Sequence, residues 1–172
     1  MIKKIFIKEL KAKDVTSNYV NWMNDEDIIR YTEIEGKQSK KKIKNYVEIK
    51  LKSKFEFLYG IYLIEKNKKF THHIGNIKLG PINFRHKYAE ISYFIGEKKY
   101  WKSGYGTEAI RQLILIAKKR FHLKKLQAGF IQLNKSSEKI LLKNNFKLEA
   151  IFKSQRIFKN KRVDSYWYGK II

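Results

Sequence analysis

The chain has 172 residues and a formal net charge of +23, with 43% hydrophobic and 15% aromatic residues. That apolar content supplies a core for one domain and excludes a compositionally disordered chain; one proline and nine glycines exclude Pro- or Gly-rich low complexity. There is no cysteine, so disulfides, thiolate metal sites and a cysteine nucleophile are excluded, and no apolar run approaches the ~20 residues of a membrane helix.

The N-terminal MIKKIFIKELKAKD alternates apolar and charged residues. It lacks the apolar stretch of a signal peptide and predicts a first strand over residues 2–10. Asp14 or Thr16 caps a helix with Tyr19, Val20, Trp22 and Met23 on one face. Residues 25–31 read as a short second helix or turn, and residues 33–39, around Gly36, as a loop. Ser39 caps a basic amphipathic helix with Ile43, Tyr46, Val47 and Lys50–Leu51 as its stripe. Residues 55–64 predict a strand and residues 65–69 a turn. The next strand covers residues 71–79 and is stopped by Gly80-Pro81. Residues 88–96 (YAEISYFIG) predict a strong strand. The period then changes: Ala109, Ile110, Leu113, Ile114, Ala117 and Phe121 define one face of a helix over residues 107–121. A strand over 125–133 follows, then a helix over 134–145 with Ile140 and Leu141 inward. Strands over 146–152 and 162–170 close the chain around a polar turn at 159–161. The order β-α-α-β-β-β-α-β-α-β-β, without repeat or linker, predicts one domain over residues 1–172. Its class is α/β (α+β), a mixed sheet with helices on both faces. The expected setting is soluble and cytoplasmic.

A surplus of 23 positive charges attracts polyanions such as nucleic acid, anionic membrane or phosphorylated small molecules. Its make-up argues against nucleic acid: 33 residues are Lys and only 6 are Arg, the side chain that reads phosphates and base edges. The lysines are spread along the chain, and Ile outnumbers Val by 24 to 4. Rich Lys, Ile and Asn together point to AT-biased coding. Most of the charge therefore reads as a solvated, compositionally enriched surface, and the rest as a field for an anionic ligand.

The most informative stretch is residues 88–107, YAEISYFIGEKKYWKSGYGT. It reads as a strand, a short basic loop with Gly104 and Gly106 spaced G-x-G, and a helix start. A helix N-terminus carries unpaired N–H groups and the positive dipole end. Glycines let those groups approach a pyrophosphate, and Lys99, Lys102 and Ser103 add charge and donors. A tight turn into a buried helix is the plain alternative. The P-loop pattern is absent, and one βα unit with no second half does not make a dinucleotide fold.

IGEKKYWKSGYGTEAI (residues 95–110), N-x-x-S at residues 134–137 and LLKNNF at residues 141–146 together resemble the GNAT superfamily of acetyl-CoA-dependent N-acetyltransferases. The branch it resembles includes ribosomal-protein and amino-sugar-nucleotide N-acetyltransferases, and the resemblance covers nearly the whole chain. It implies a central sheet of about seven strands whose middle pair splays apart, over residues 91–96 and 127–133, to admit the pantetheine arm. It also implies a cofactor surface of Phe94, Ile95, Lys102, Ser103, Gly104, Tyr105, Gly106, Thr107, Asn134 and Lys143. Two departures stand out. Lys102 falls where relatives carry a loop glycine, and Asn145 falls where they carry Gly before Phe146; Asn preserves a left-handed helix cap.

An amine attacks a thioester only when neutral, so the reaction needs a base and an acid for the departing thiolate. Glu90 is the candidate base, directly or through water; strand alternation sets it with Ser92 and Phe94, opposite Ala89, Ile91, Tyr93 and Ile95. Ser137 is the candidate acid or thiolate stabiliser. Many relatives use a tyrosine further along its helix, where this chain has Leu141. Asn134 reads as that helix's N-cap. Trp22, Arg30 and Tyr31, with His73, are candidate acceptor-binding residues, although packing explains Trp22 equally well. His72 and His73, adjacent on a strand, point oppositely and cannot share one metal. Three functions remain open at this point: acetylation of an amino sugar, possibly nucleotide-linked; acetylation of a protein N-terminus; and a non-enzymatic RNA-binding module, with nucleic acid disfavoured by composition. The closing antiparallel strands leave room for a homodimer.

Overall fold

A computed structural model describes residues 5–64 and 72–172. Seven strands form one sheet in the order β1-β2-β3-β4-β5-β7-β6. The chain runs β1 (Ile5–Glu9), α1 (Ser17–Trp22), α2 (Glu26–Ile29), α3 (Lys40–Lys52), β2 (Phe57–Leu63), β3 (His72–Asn83), β4 (Tyr88–Ile95), α4 (Tyr105–Phe121), β5 (Lys125–Ile131), α5 (Lys135–Lys143), β6 (Lys147–Phe158) and β7 (Lys161–Ile171), with short 3-10 turns at Ala12–Asp14 and Lys98–Tyr100. All neighbouring strands are antiparallel except β4 and β5, which are parallel. The expected turn at 65–69 and residues 2–4 of the first predicted strand lie outside the described residues.

Side-chain alternation divides the sheet into two faces. On one, Ala109, Ile110, Leu113 and Ala117 of α4 and Leu141 of α5 pack fully buried on Ile77, Leu79, Ala89 and Leu126. On the other, α1 and α3 bury Tyr19, Trp22, Ile43 and Val47 with Leu58 and Tyr62. Each buried Leu or Ile contributes ~1.5–3 kcal/mol of transfer free energy.

The caps follow the sequence. Thr16 accepts the Tyr19 N–H (3.3 Å), Ser39 accepts from Lys42 (3.2 Å), and Asn134 accepts from Ser137 (3.1 Å). Asn145 holds φ +60°, with Phe146 N–H on Leu141 O (3.1 Å) and Asn145 N–H on Leu142 O (2.9 Å), the paired closure of a left-handed helix end.

Three expectations change. The third strand does not stop at Gly80-Pro81: β3 continues to Asn83, because that dipeptide, with a cis bond, sits in a register shift between Leu79 and Ile82. A proline inside a bulge removes no ladder hydrogen bond. The stripe of α3 is narrower than its spacing implied, since Tyr46 and Leu51 are exposed while Ile43 and Val47 are buried. The last two strands are longer than expected and meet at Lys159 and Asn160, both at positive φ as a two-residue hairpin requires.

Candidate active site

The β4–β5 ladder covers only residues 88–90 against 125–127. Beyond it, residues 91–95 keep their pairing with β3 and residues 128–131 keep theirs with β7, but the two segments do not pair with each other. The parallel strands therefore part into a wedge whose walls are strand backbones, a ready template for an extended arm. The wedge starts one residue later than expected, at Ala128, because Gln127 still pairs with Glu90. Near its wide end, the Trp101 indole N–H donates to Ile95 O (2.8 Å).

The loop from β4 to α4 is anchored where Gly96 and Glu97 donate to Ile74 O (2.8 and 3.2 Å). Lys102 takes φ +58°, so the position where the resemblance implied a glycine has left-handed backbone and carries a side chain into solvent. Gly104 takes φ +85°, and a Cβ there would meet nothing within 4 Å. Its requirement for glycine is conformational, and the space before it is open. α4 begins at Tyr105, two residues earlier than its apolar spacing indicated. Glu108 N–H donates to Gly104 O (3.1 Å), which leaves the Gly106 and Thr107 amides at the helix start without intrahelical acceptors. Ser103 Oγ donates to Trp101 O (3.3 Å). Asn144 Nδ2 donates to Thr107 O (3.2 Å), so the end of α5, with exposed Lys143, lies beside the first turn of α4. Lys98 is engaged elsewhere: it pairs with Asp25 (2.9 Å) and Asp27 (2.8 Å), and its hydrogen bond holds the Asp27 carboxyl below the usual carboxylate range.

Alternation places the chemistry on opposite sides of the sheet. Glu90, at the closed end of the wedge, faces the α1–α3 side with Phe94, which packs against Trp22 and Tyr19. Its carboxylate makes no hydrogen bond or ion pair among the described residues. Tyr93 faces the α4–α5 side. Its hydroxyl lies 2.9 Å from Ser137 Oγ and 3.3 Å from Ser137 O. Burial drives the Tyr93 phenol far above its ordinary range, against a smaller opposing effect of the Ser137 hydrogen bond. Either hydroxyl can donate in this bond, which fixes the position of Ser137 Oγ. Sequence reasoning missed Tyr93 as a site residue; its only signal was its place on the face opposite Glu90. Leu141 is fully buried and has no donor, as its identity implied.

Trp22 does not line a cleft. It is 5% exposed and packs with His73 (ring centroids 5.0 Å) and Phe94 (6.4 Å), its indole lying on Gly96, where a Cβ would clash. His73 sits in the same cluster, stacked on Tyr62 (4.9 Å), with Nε2 on Gly75 O (2.9 Å) and Asn76 Oδ1 (2.8 Å). Both support the wedge from behind. Arg30 pairs with Asp27 at the surface. Tyr31 stacks on Phe158 (5.6 Å), and Glu33 pairs with Arg156. Residues 31–33 and the β6–β7 hairpin thus touch. No group of three or more metal-ligating side chains occurs among the described residues.

The model of the acetyltransferase (GNAT) domain matches residues 4–147, and the chain belongs to that family. It is therefore an acyltransferase that uses acetyl-CoA as co-substrate and an amine as acceptor. A Bacillus subtilis (strain 168) protein named uncharacterized N-acetyltransferase YoaA is 24% identical over 169 residues, spanning 96% of this chain and 92% of that one. Among solved structures, spermidine N-acetyltransferase from Vibrio cholerae in complex with CoA and spermine aligns with TM-score 0.85 at 17% identity, over 98% of this chain and 95% of that one. RimL, a ribosomal L7/L12 α-N-protein acetyltransferase in complex with CoA, aligns with TM-score 0.84 at 15% identity, over 98% and 94%. At such identities the structural likeness is one of fold.

Proposed function

We propose that the acceptor is an amino sugar, in nucleotide-linked form, and that Glu90 and Ser137 move the protons of the transfer. One observation carries the proton assignment: Glu90 and the Tyr93–Ser137 pair lie on opposite faces of β4, beside the point where β4 and β5 part. The residues present suit the co-substrate. Gly104 leaves open space before the Gly106 and Thr107 amides, and Lys102, Ser103 and Lys143 lie around it, with Asn134 capping the helix that carries Ser137. Phe94 and Ile95 supply backbone to the wedge. Acetyl-CoA brings the acetyl group as a thioester.

Glu90 takes the proton that the amine must lose to attack, directly or through one water. Ser137 hydrogen-bonds the departing sulfur and relays to it a proton that its own hydroxyl regains from solvent, and Tyr93 holds Oγ from behind. The first-turn position of Ser137 in α5 adds the positive end of a helix, which favours a thiolate. Such proton transfers contribute ~10²–10⁴ in rate.

The net charge of +23 favours an anionic acceptor and repels a polycation. Thiol release from acetyl-CoA across an amino-sugar nucleotide, spermidine and a peptide with a free α-amine tests the acceptor. Turnover with the amino-sugar nucleotide alone supports the proposal. A faster rate with the peptide or with spermidine overturns it.

A further inference from the structure

Below the closed end of the wedge, on the Glu90 face, an open cleft of about 450 Å³ lies against the β3–β4 hairpin. Phe55, Phe84, Tyr88, Arg85 and Glu90 are among its walls. Its shape comes from the irregular course of β3. Gly80, at φ +119°, passes so close to residue 55 that a Cβ would strike Phe55 O, and Ile82 N–H donates to the same carbonyl (2.8 Å). That bond draws the residue 55 segment alongside the hairpin, and the Phe55 and Phe84 rings meet at 6.0 Å. Both rings are half exposed, at 56% and 46%.

Arg85 is set apart from the other arginines. Arg30, Arg111, Arg120 and Arg156 each pair with a carboxylate, and Arg162 donates to Ser154 O. Arg85 alone makes no hydrogen bond or ion pair among the described residues. The cleft therefore presents an uncommitted carboxylate, an uncommitted guanidinium and adjoining aromatic rings. A guanidinium fork pairs with a carboxylate or a phosphate through parallel hydrogen bonds, and exposed rings cover a flat or apolar body.

We infer that this cleft holds the non-reacting part of the acceptor, and that the acceptor is an amine carrying its own anionic group. Arg85 takes the anion, the rings cover the body of the molecule, and the amine end lies toward Glu90. This rests on the reading of Glu90 as the base. In a nucleotide-linked acceptor the anion is a phosphate, and paired probes separate it from a carboxylate.

The test is calorimetric titration of the full chain, without acetyl-CoA, with L-phenylalanine against 2-phenylethylamine and with glucosamine 6-phosphate against glucosamine. CoA is titrated in parallel. One probe that carries the anionic group is expected to bind at least about tenfold more tightly than its counterpart lacking that group, and Arg85→Gln to abolish that difference while leaving CoA affinity unchanged. Arg85→Lys should restore it only in part, because an ammonium lacks the fork. Equal binding of each pair, absence of binding by both probes that carry the anionic group in the millimolar range, or an Arg85→Gln protein that still discriminates would each overturn the inference. If CoA itself fails to bind the wild-type chain, the reading of the wedge falls first and this one with it.

Discussion

Replacing the Glu90 carboxylate by an amide removes a proton acceptor and leaves shape intact. Glu90→Gln should lower kcat on the order of 10²-fold at neutral pH and by less at alkaline pH, where more of the amine is already neutral. A thiol-release profile whose shape matches that of wild type would remove the base role. Tyr93→Phe keeps the ring and deletes the bond to Ser137 Oγ. It should reduce kcat about tenfold with little change in the KM for acetyl-CoA, and Ser137→Ala added to it should cost far less than Ser137→Ala alone. Independent, additive losses would show that the two hydroxyls do not act together. His73 offers a stability test. Burial holds its imidazole below the ordinary value of about 6.5, against the opposing effect of the hydrogen bonds its Nε2 donates to Asn76 Oδ1 and Gly75 O. The unfolded chain then binds a proton that the folded chain refuses, so this contribution is complete above the ordinary histidine value and declines as pH falls below it. Melting temperatures should drop more steeply from neutral to mildly acid pH for wild type than for His73→Gln; parallel curves would place the acid sensitivity elsewhere.

Among the elements, the start of α4 is the most exposed to a single change. Gly104→Val forces a β-branched side chain into left-handed backbone, at about 1–3 kcal/mol of strain. The affinity for CoA should fall roughly tenfold or more by calorimetry, because relief of the strain swings the first-turn amides out of line. Unchanged affinity would mean that those amides do not carry the phosphates. This element was legible from residue types, since two glycines at a strand-to-helix junction need no distant partner to be understood. The same holds for Asn145, whose tolerance of positive φ is its own property. The course of β3 through Pro81 was not legible, because a bulge depends on the register of its neighbour β4. Nor was the Tyr93–Ser137 bond, formed by residues 44 positions apart that tertiary packing alone brings together. Trp22 shows the same limit in reverse: its aromatic identity fits a cleft or a core equally, and Gly96 beneath it decides for the core.

At the scale of the whole molecule, composition left two uses for the charge, a solvated surface or a working field. Ionic strength separates them. If the field concentrates acetyl-CoA, raising salt from about 0.02 M to about 0.5 M should raise its KM several-fold with kcat constant, since screening shortens the reach of surface charge from tens of ångströms to a few. A flat KM would assign the lysines to the surface alone. The order of elements and the two-faced packing were readable from periodicity, because each helix and strand buries one face of its own sequence. The extent of the wedge was not, because it is set by where a ladder ends.

That wedge is a slot through a wall. Its sides are single strands, with Glu90 on one side of it and the Tyr93–Ser137 pair on the other. A conjugate that ties the CoA sulfur to an acceptor nitrogen by a slender linear linker can lie across both compartments at once. A branched or ring-bearing linker of equal length jams against the strand backbones, so tight inhibitors of this enzyme will have the shape of two beads on a thin string.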